Sequence, residues 1–486
     1  MNRRQFLAIA ALSGLASTTA CGPGERPATA DPAAFRTELR VPPLLKPEVD
    51  RNGTRHFALT MQRGRSELLP GRPVETWGFN GPYLGPTIRA ARGDRVRMTV
   101  TNRLAEASTV HWHGMRLPAK MDGGPHQLIE PGGTWSPHWT IDQPAATSWY
   151  HPHPHGQTAR HVYRGLAGLF IVDDGDTPGL PSAYGIDDVP LILQDKEFAE
   201  DGSPAGDVLS GTFGLLGDHV LVNGVHAPLM NVRAERVRFR VLNGSNARRY
   251  HLTFADGRRF HVVGGDAGLL PAPVEVERVS LSPGERAEVV VAFAPGEQVF
   301  LRTVSGGDDL DEGDFDLLKL VAAERLTPSP GLPARLAAPE TIAVPANARV
   351  RRFRLNGHDA INGKEMDLSR IDEVVPAGAT EIWEIENTVY AHNFHIHEVA
   401  FQVLDVDGEK PAAYASGHKD TVYVPPKSTV RLAVRFGGFT DPATPYMYHC
   451  HILRHEDSGM MGQFVIVEPG TESQVSRTIA TAHLSH

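Results

Sequence analysis

Short runs with alternating apolar and polar positions, rich in Val, Ile, Phe and Thr, recur along most of this 486-residue chain. Gly, Pro, Asn and Asp clusters separate them, the signature of β-strands joined by turns. RVRMTVTNRL (95–104), RVRFRVLNGS (236–245) and RRFRLNG (351–357) each read as a strand entering a turn, and the recurrence predicts a repeated β-sandwich unit. No sustained helical period is present. Pro-rich linkers at DDGDTPGLPS (173–182) and LTPSPGLPARLAAPE (326–340) divide the pattern into three all-β units, expected at 51–178, 179–330 and 340–470. Residues 22–50 are Pro- and Ala-rich and read as a flexible leader, and 471–486 as a tail.

Composition sharpens this picture. The 48 Gly and 38 Pro fit an all-β chain with many turns, and 41% hydrophobic with 22% charged residues are globular values. A formal charge of −9 without a basic cluster argues against a nucleic-acid partner. Two cysteines, Cys21 and Cys450, are too far apart to form a disulfide framework, so stability must come from packed cores.

The first 21 residues, MNRRQFLAIAALSGLASTTAC, place Arg3-Arg4 before a short, mildly apolar run that ends in small residues. They resemble a twin-arginine export signal, which implies a folded protein delivered to the periplasm or cell envelope. The run is too short to span a membrane, so no transmembrane helix is expected in the mature chain. Cleavage before Cys21 would leave a lipid-anchored cysteine, and cleavage after Ala20 without lipidation is the alternative.

The candidate chemistry lies near the two ends of the array. HWHG (111–114) carries His111 and His113, and YHPHPHG (150–156) carries His151 and His153. HNFHIH (392–397) carries His392, His395 and His397, and HCHILRHEDSGM (449–460) carries His449, Cys450, His451, His455 and Met460. A single His-x-His pair in a β-protein is commonly incidental. Four of them, each able to present two imidazoles to one face of a strand, predict a metal cluster between the first and third units. Around Cys450 the same alternation turns the thiol away from His449 and His451. Cys450, His455, a further histidine and a weak axial Met460 would make a blue-copper electron-transfer site, whereas zinc would want more thiolates or a carboxylate.

With GPYLGPTIRA, TSWYHPHPHG, RGLAGLFIV and ILQDKEF added to these motifs, the chain resembles the three-domain multicopper oxidases of the laccase and copper-efflux-oxidase group over about residues 50–470. The resemblance implies three consecutive cupredoxin-like Greek-key β-sandwich domains and four copper ions. By the same resemblance a type 1 copper would take His392, Cys450, His455 and Met460, and a type 2 copper His111 and His395. A type 3 pair would take His113, His151, His153, His397, His449 and His451. Cys450 would pass electrons to the cluster, and Asp122 and Glu456 would deliver protons, the alternative for both carboxylates being to orient ligand histidines. Of the remaining histidines, His126, His138, His155 and His161, His155 is the best candidate to support a ligand.

The activity so implied is laccase-like. One-electron oxidation of phenols or aromatic amines at an exposed His392 edge would be coupled to four-electron reduction of O2 to water by a monomeric enzyme. Cuprous-oxidase relatives carry methionines and an acid near the type 1 site. Here Thr388 and Tyr390 stand in those places, and Met366 is the only methionine between Met230 and Met447. Metal-ion oxidation in copper tolerance is the alternative. A non-catalytic scaffold, the role of relatives that have lost their ligands, and a two-domain nitrite reductase fit less well. The acidic run SGGDDLDEGDFD (305–316) lacks calcium-loop spacing and reads as a solvated loop.

Overall fold

The computed structural model describes residues 34–175 and 179–479. The export-signal reading, Cys21 and residues 480–486 lie outside the described residues. Among the described residues the strands gather into six sheets, two for each of three successive units.

Each unit opens with the same motif, in which a first strand pairs in parallel with a second. Arg55–Leu69 pairs with Arg95–Asn102, Asp188–Lys196 with Arg236–Asn243, and Val350–Leu355 with Thr380–Asn387. Each second strand ends in a buried asparagine. The side-chain oxygens of Asn102, Asn243 and Asn387 accept the N–H two residues on, from Leu104, Ser245 and Val389. The Nδ2 groups donate across the corner, Asn102 to the carbonyls of Glu106 and Ile129, and Asn387 to those of Tyr390 and Pro425. An asparagine that supplies donors and acceptor together satisfies backbone groups that a buried turn would otherwise orphan. The third repeat read from the sequence, RRFRLNG, is therefore the first strand of its pair, and TEIWEIEN is the counterpart of the other two. The strand–turn pattern is shared by both members of the pair, and only the pairing tells them apart.

Apolar positions of alternating strands close one core per unit. Phe57, Met98, Trp112 and Phe170 lie in the first core, and Leu191, Phe239 and Val289 in the second. Phe353, Trp383, Phe394 and Tyr448 lie in the third. Where it is described, the leader packs onto the second unit. Phe35 is buried, and Thr37–Glu38 adds a parallel strand to a sheet of the second unit at Pro228 and Leu229. Backbone pairing and one buried aromatic outweigh the Pro-rich composition there.

Two short helices join the ends of the molecule. Helix α1 spans Thr158–Arg164 and α2 spans Leu453–Asp457. The Asp457 carboxylate accepts the Thr158 and Ala159 N–H groups at 2.8 and 2.9 Å, so that the third unit caps a helix of the first. Asp457→Ala should cost about 1–2 kcal/mol, the range for a lost helix cap. A fall in the denaturant midpoint that Asp457→Asn largely restores would bear this out; equal falls would show that the cap is not the cause.

Candidate metal centre

In the first and third units the asparagine corner precedes a histidine segment. Shortly beyond Asn387 the chain enters the strand His392–Ile396, which pairs with Tyr446–His449 in register, His395 opposite His449. In HWHG the bridge residue His111 runs into a turn at His113 and Gly114, and in YHPH His151 follows directly on the strand Ala146–Tyr150. The two segments bridge each other, His111 N–H to the His151 carbonyl at 2.8 Å and His151 N–H to the His111 carbonyl at 3.2 Å. The result brings His111, His113, His151, His153, His395, His397, His449 and His451 together, each at most 1% exposed.

Hydrogen bonds fix the tautomers of this cluster. The Nδ1 groups of His111, His151, His395 and His449 donate to the carbonyls of Asp122 (3.0 Å), Pro152 (2.8 Å), Asp420 (2.8 Å) and Cys450 (3.1 Å). His397 Nδ1 donates to Asp122 Oδ2 at 2.7 Å. Each of these five imidazoles therefore has a lone pair on Nε2. His113 is reversed: its Nε2 meets Asp420 Oδ1 at 3.0 Å and Thr421 Oγ1 at 3.1 Å, leaving Nδ1 free. The buried Nε2 atoms of His111, His151 and His395, Nδ1 of His113 and both nitrogens of His451 have no hydrogen-bond partner. Around His449 Nε2 stand His153 Nε2 at 3.1 Å and His397 Nε2 at 3.3 Å. Buried nitrogens so converged, most with tautomers set by hydrogen bonds on the far side of the ring, need a cation between them. Three all-histidine sets have donor atoms all within 4.8 Å of one another: His111, His113 and His151; His111, His395 and His397; and His153, His397 and His449.

Burial also sets the charge state. The imidazoles of His153 and His451 are pushed down to about 3, by loss of solvent first, and His113, His151, His395 and His397 fall well below the usual range for the same reason. They are neutral at pH 7, the form that binds metals. Glu456 sits 3.3 Å from His449 Nδ1 and 3.5 Å from His153 Nδ1. Burial pushes its carboxyl up, but these imidazoles outweigh it and hold the carboxyl well below the usual carboxylate range.

A second site lies on the other side of Cys450. The Cys450 thiol, buried in the core of the third unit, lies 3.5 Å from both His392 Nδ1 and His455 Nδ1. Helix α2 turns His455 back toward the thiol, and its Nε2 donates to the Thr212 carbonyl at 2.9 Å, which leaves Nδ1 as the lone-pair atom. Met460 is fully buried in the same core, and its carbonyl accepts the Cys450 N–H at 3.1 Å. Burial pushes the thiol up to about 12. One soft sulfur and two imidazoles fit copper better than zinc or a hard ion.

Several residues stand differently from the sequence reading. His392 presents no exposed edge, being 0% accessible. A strap from the second unit covers the site: Thr212 bonds His455, and Phe213 packs 5.3 Å from Tyr390 and 6.0 Å from His455 between ring centroids. Arg454 holds this strap through the Leu209 and Thr212 carbonyls. His155 and His138 are exposed, and His126 bonds the side chain of Gln463. The buried leftover is His161, which meets Ser108 Oγ at 3.0 Å. Asp420 and Thr421, which fix His113 and His395, carry no local signal, since they lie 307 and 308 residues from His113 in sequence.

Comparisons with known proteins agree with this architecture. Three family models, each described as multicopper oxidase, match residues 60–177, 190–317 and 337–470. The multicopper oxidase mco of Staphylococcus haemolyticus is 35% identical over 438 residues, covering 89% of this chain and 93% of that protein. The cell division protein FtsP of Pectobacterium atrosepticum is 39% identical over 482 residues, covering 96% and 99%. The crystal structure of a laccase from Pediococcus acidilactici superposes with a TM-score of 0.84 at 38% identity, covering 92% of this chain and 97% of that one. With three cupredoxin-like β-domains around buried histidine and cysteine sites, the chain belongs to the multicopper oxidase family.

Proposed function

We propose that this protein is an exported, monomeric, laccase-like oxidase that couples one-electron oxidation of phenols or aromatic amines to reduction of O2 to water. The observation that carries the oxidase reading is the set of buried donors: eight converging imidazoles, six of them with tautomers fixed by hydrogen bonds, and, beyond Cys450, the thiol with His392 and His455. His392, Cys450, His455 and Met460 would hold a type 1 copper. His111 and His395 would hold a type 2 copper, and His113, His151, His153, His397, His449 and His451 a type 3 pair. Bound copper would supply the one-electron acceptor at Cys450 and the four-electron reduction of O2 at the histidine cluster.

The chain's own residues define the rest. Cys450 is bonded through backbone to His449 and His451, so sulfur and cluster are linked by the shortest covalent path the chain allows. Glu456, against His449 and His153, and Asp122, against His397, are carboxylates in direct contact with cluster imidazoles, and in this reading they would deliver the protons that water formation requires. Around the Cys450 site the half-buried Tyr390, packed on the buried Phe213, offers an aromatic ring where a cuprous oxidase would offer thioethers. That ring favours flat aromatic reductants.

The similarity to FtsP favours a second reading, a structural role without turnover. The full donor set argues against it. Oxygen uptake by copper-loaded protein should be fastest with a phenol or aromatic amine and slower with Cu(I) or Fe(II). A reversed ranking would make it a metal-ion oxidase, and a colourless protein that binds no copper would support the structural role.

A further inference from the structure

The second unit supplies none of the donor histidines, yet one of its side chains sits behind the cluster. Arg286, on the strand Arg286–Ala292, is fully buried. All five of its guanidinium N–H groups are used. Nε donates to the Thr147 carbonyl of the first unit at 2.8 Å. Nη1 donates to the Gly284 carbonyl at 3.0 Å and to Asp420 Oδ1 at 2.7 Å, and Nη2 to the Asp266 carbonyl at 2.8 Å and to Asp420 Oδ2 at 2.6 Å. The pair with Asp420 of the third unit is bidentate, the geometry that fixes a carboxylate in both position and rotation. Lys419, next in the chain, is also held by the second unit, 2.8 Å from Asp266 and 3.0 Å from Glu285.

Asp420 in turn touches two cluster imidazoles with different atoms. Its carboxylate takes His113 Nε2 at 3.0 Å and its carbonyl takes His395 Nδ1 at 2.8 Å. Those two bonds dictate that His113 offers Nδ1 and His395 offers Nε2, and the two rings stack with centroids 3.7 Å apart. A carboxylate free to rotate would release the His113 ring, whose Nδ1 is left free only because a side-chain acceptor occupies Nε2.

We propose that Arg286 is a positioning residue for the histidine cluster: through the Arg286–Asp420 fork the second unit sets the orientation of His113 and His395 and thereby the retention of metal there. This rests on the reading of those two residues as metal ligands. It also gives the middle unit a part in the metal centre beyond the strap over Cys450.

The test compares Arg286→Met and Arg286→Lys with the unaltered protein and with Arg240→Met, all as full chains. Arg240 is a buried arginine of the same unit that pairs with Asp188 and Glu288 and touches no donor histidine. Copper per chain, the blue absorption, the type 2 spin-resonance signal and the rate of copper loss to a chelator are measured on each. Arg286→Met should keep the blue absorption, lose most of the type 2 signal, and release cluster copper with an affinity about ten- to a hundredfold weaker, the usual effect of removing a partner behind a metal ligand. Arg286→Lys keeps the charge without the fork and should fall between. Arg240→Met should lower thermal stability with the type 2 to blue ratio unchanged. The proposal is overturned if both Arg286 variants keep that ratio, or if they lose both signals together. Should Arg286→Met not fold, the Lys variant decides by the same ratio. An unaltered protein with no type 2 signal would instead sink the ligand reading on which the proposal rests.

Discussion

Cys450→Ser should abolish both the blue absorption of the copper-loaded protein and its oxygen uptake with a phenolic reductant, while the type 2 signal survives. The thiol is the one cysteine sulfur among the described residues, and it is the atom from which a covalent path runs to His449 and His451. A serine oxygen is a hard donor, unsuited to this copper geometry. The fold should tolerate the change. Serine is smaller than cysteine and can hydrogen-bond His392 or His455, which lie 3.5 Å from the sulfur, so the cost should stay within the roughly 1–3 kcal/mol of a poorly satisfied buried hydroxyl. The histidine cluster lies on the far side of the backbone and keeps its own tautomer bonds. Loss of the type 2 signal together with the blue absorption would show that the two sites are not separate, and retention of colour would remove Cys450 from the site.

The second large effect concerns the metal-free protein, whose stability should fall steeply between pH 7 and pH 5. His153, His392 and His451 are held neutral down to about 3 in the fold, each by burial foremost, and regain an ordinary imidazole value of about 6.5 when the chain unfolds. Below that value the unfolded chain binds protons that the folded chain refuses, so acid favours unfolding; above it the difference vanishes. At pH 5 each of the three groups costs about 2 kcal/mol, and together about 6 kcal/mol if they titrate independently. That is comparable to the whole stability of an ordinary domain. Urea midpoints of metal-free protein should therefore fall steeply as pH drops through 6.5, and metal loading should oppose the fall, because bound metal competes with protons for the same nitrogens. A metal-free midpoint flat from pH 7 to 5 would mean that these imidazoles are not buried neutral.

The two predictions draw on information of different origin. Cys450 and its flanking histidines are neighbours in the chain, so their division between two sites follows from strand alternation and is readable before any fold is known. The depressed imidazoles depend on what surrounds them. His153 approaches His449 across 296 residues of chain, and no local pattern encodes the resulting desolvation. The repeated unit shows the same division. Alternation and turn residues announced strands at 95–104, 236–245 and 351–357, but could not tell the first strand of the parallel pair from the second, because both read alike until a partner is assigned. The leader erred in the other direction: its proline content suggested a free segment, yet Phe35 and the Thr37–Glu38 strand dock on the second unit.

By itself the sequence determined the all-β class, the four His-x-His pairs and the thiol that links them, because each follows from residue type and spacing over a few positions. Only the tertiary structure decided how the donors are held and covered: Asp420 on His113 and His395, Arg286 behind Asp420, and the Thr212–Phe213 strap against His455. These contacts join segments distant in the chain. Their energy comes from burial and from hydrogen bonds that exist only once three units have packed together, and the linear pattern records the units without recording where they meet.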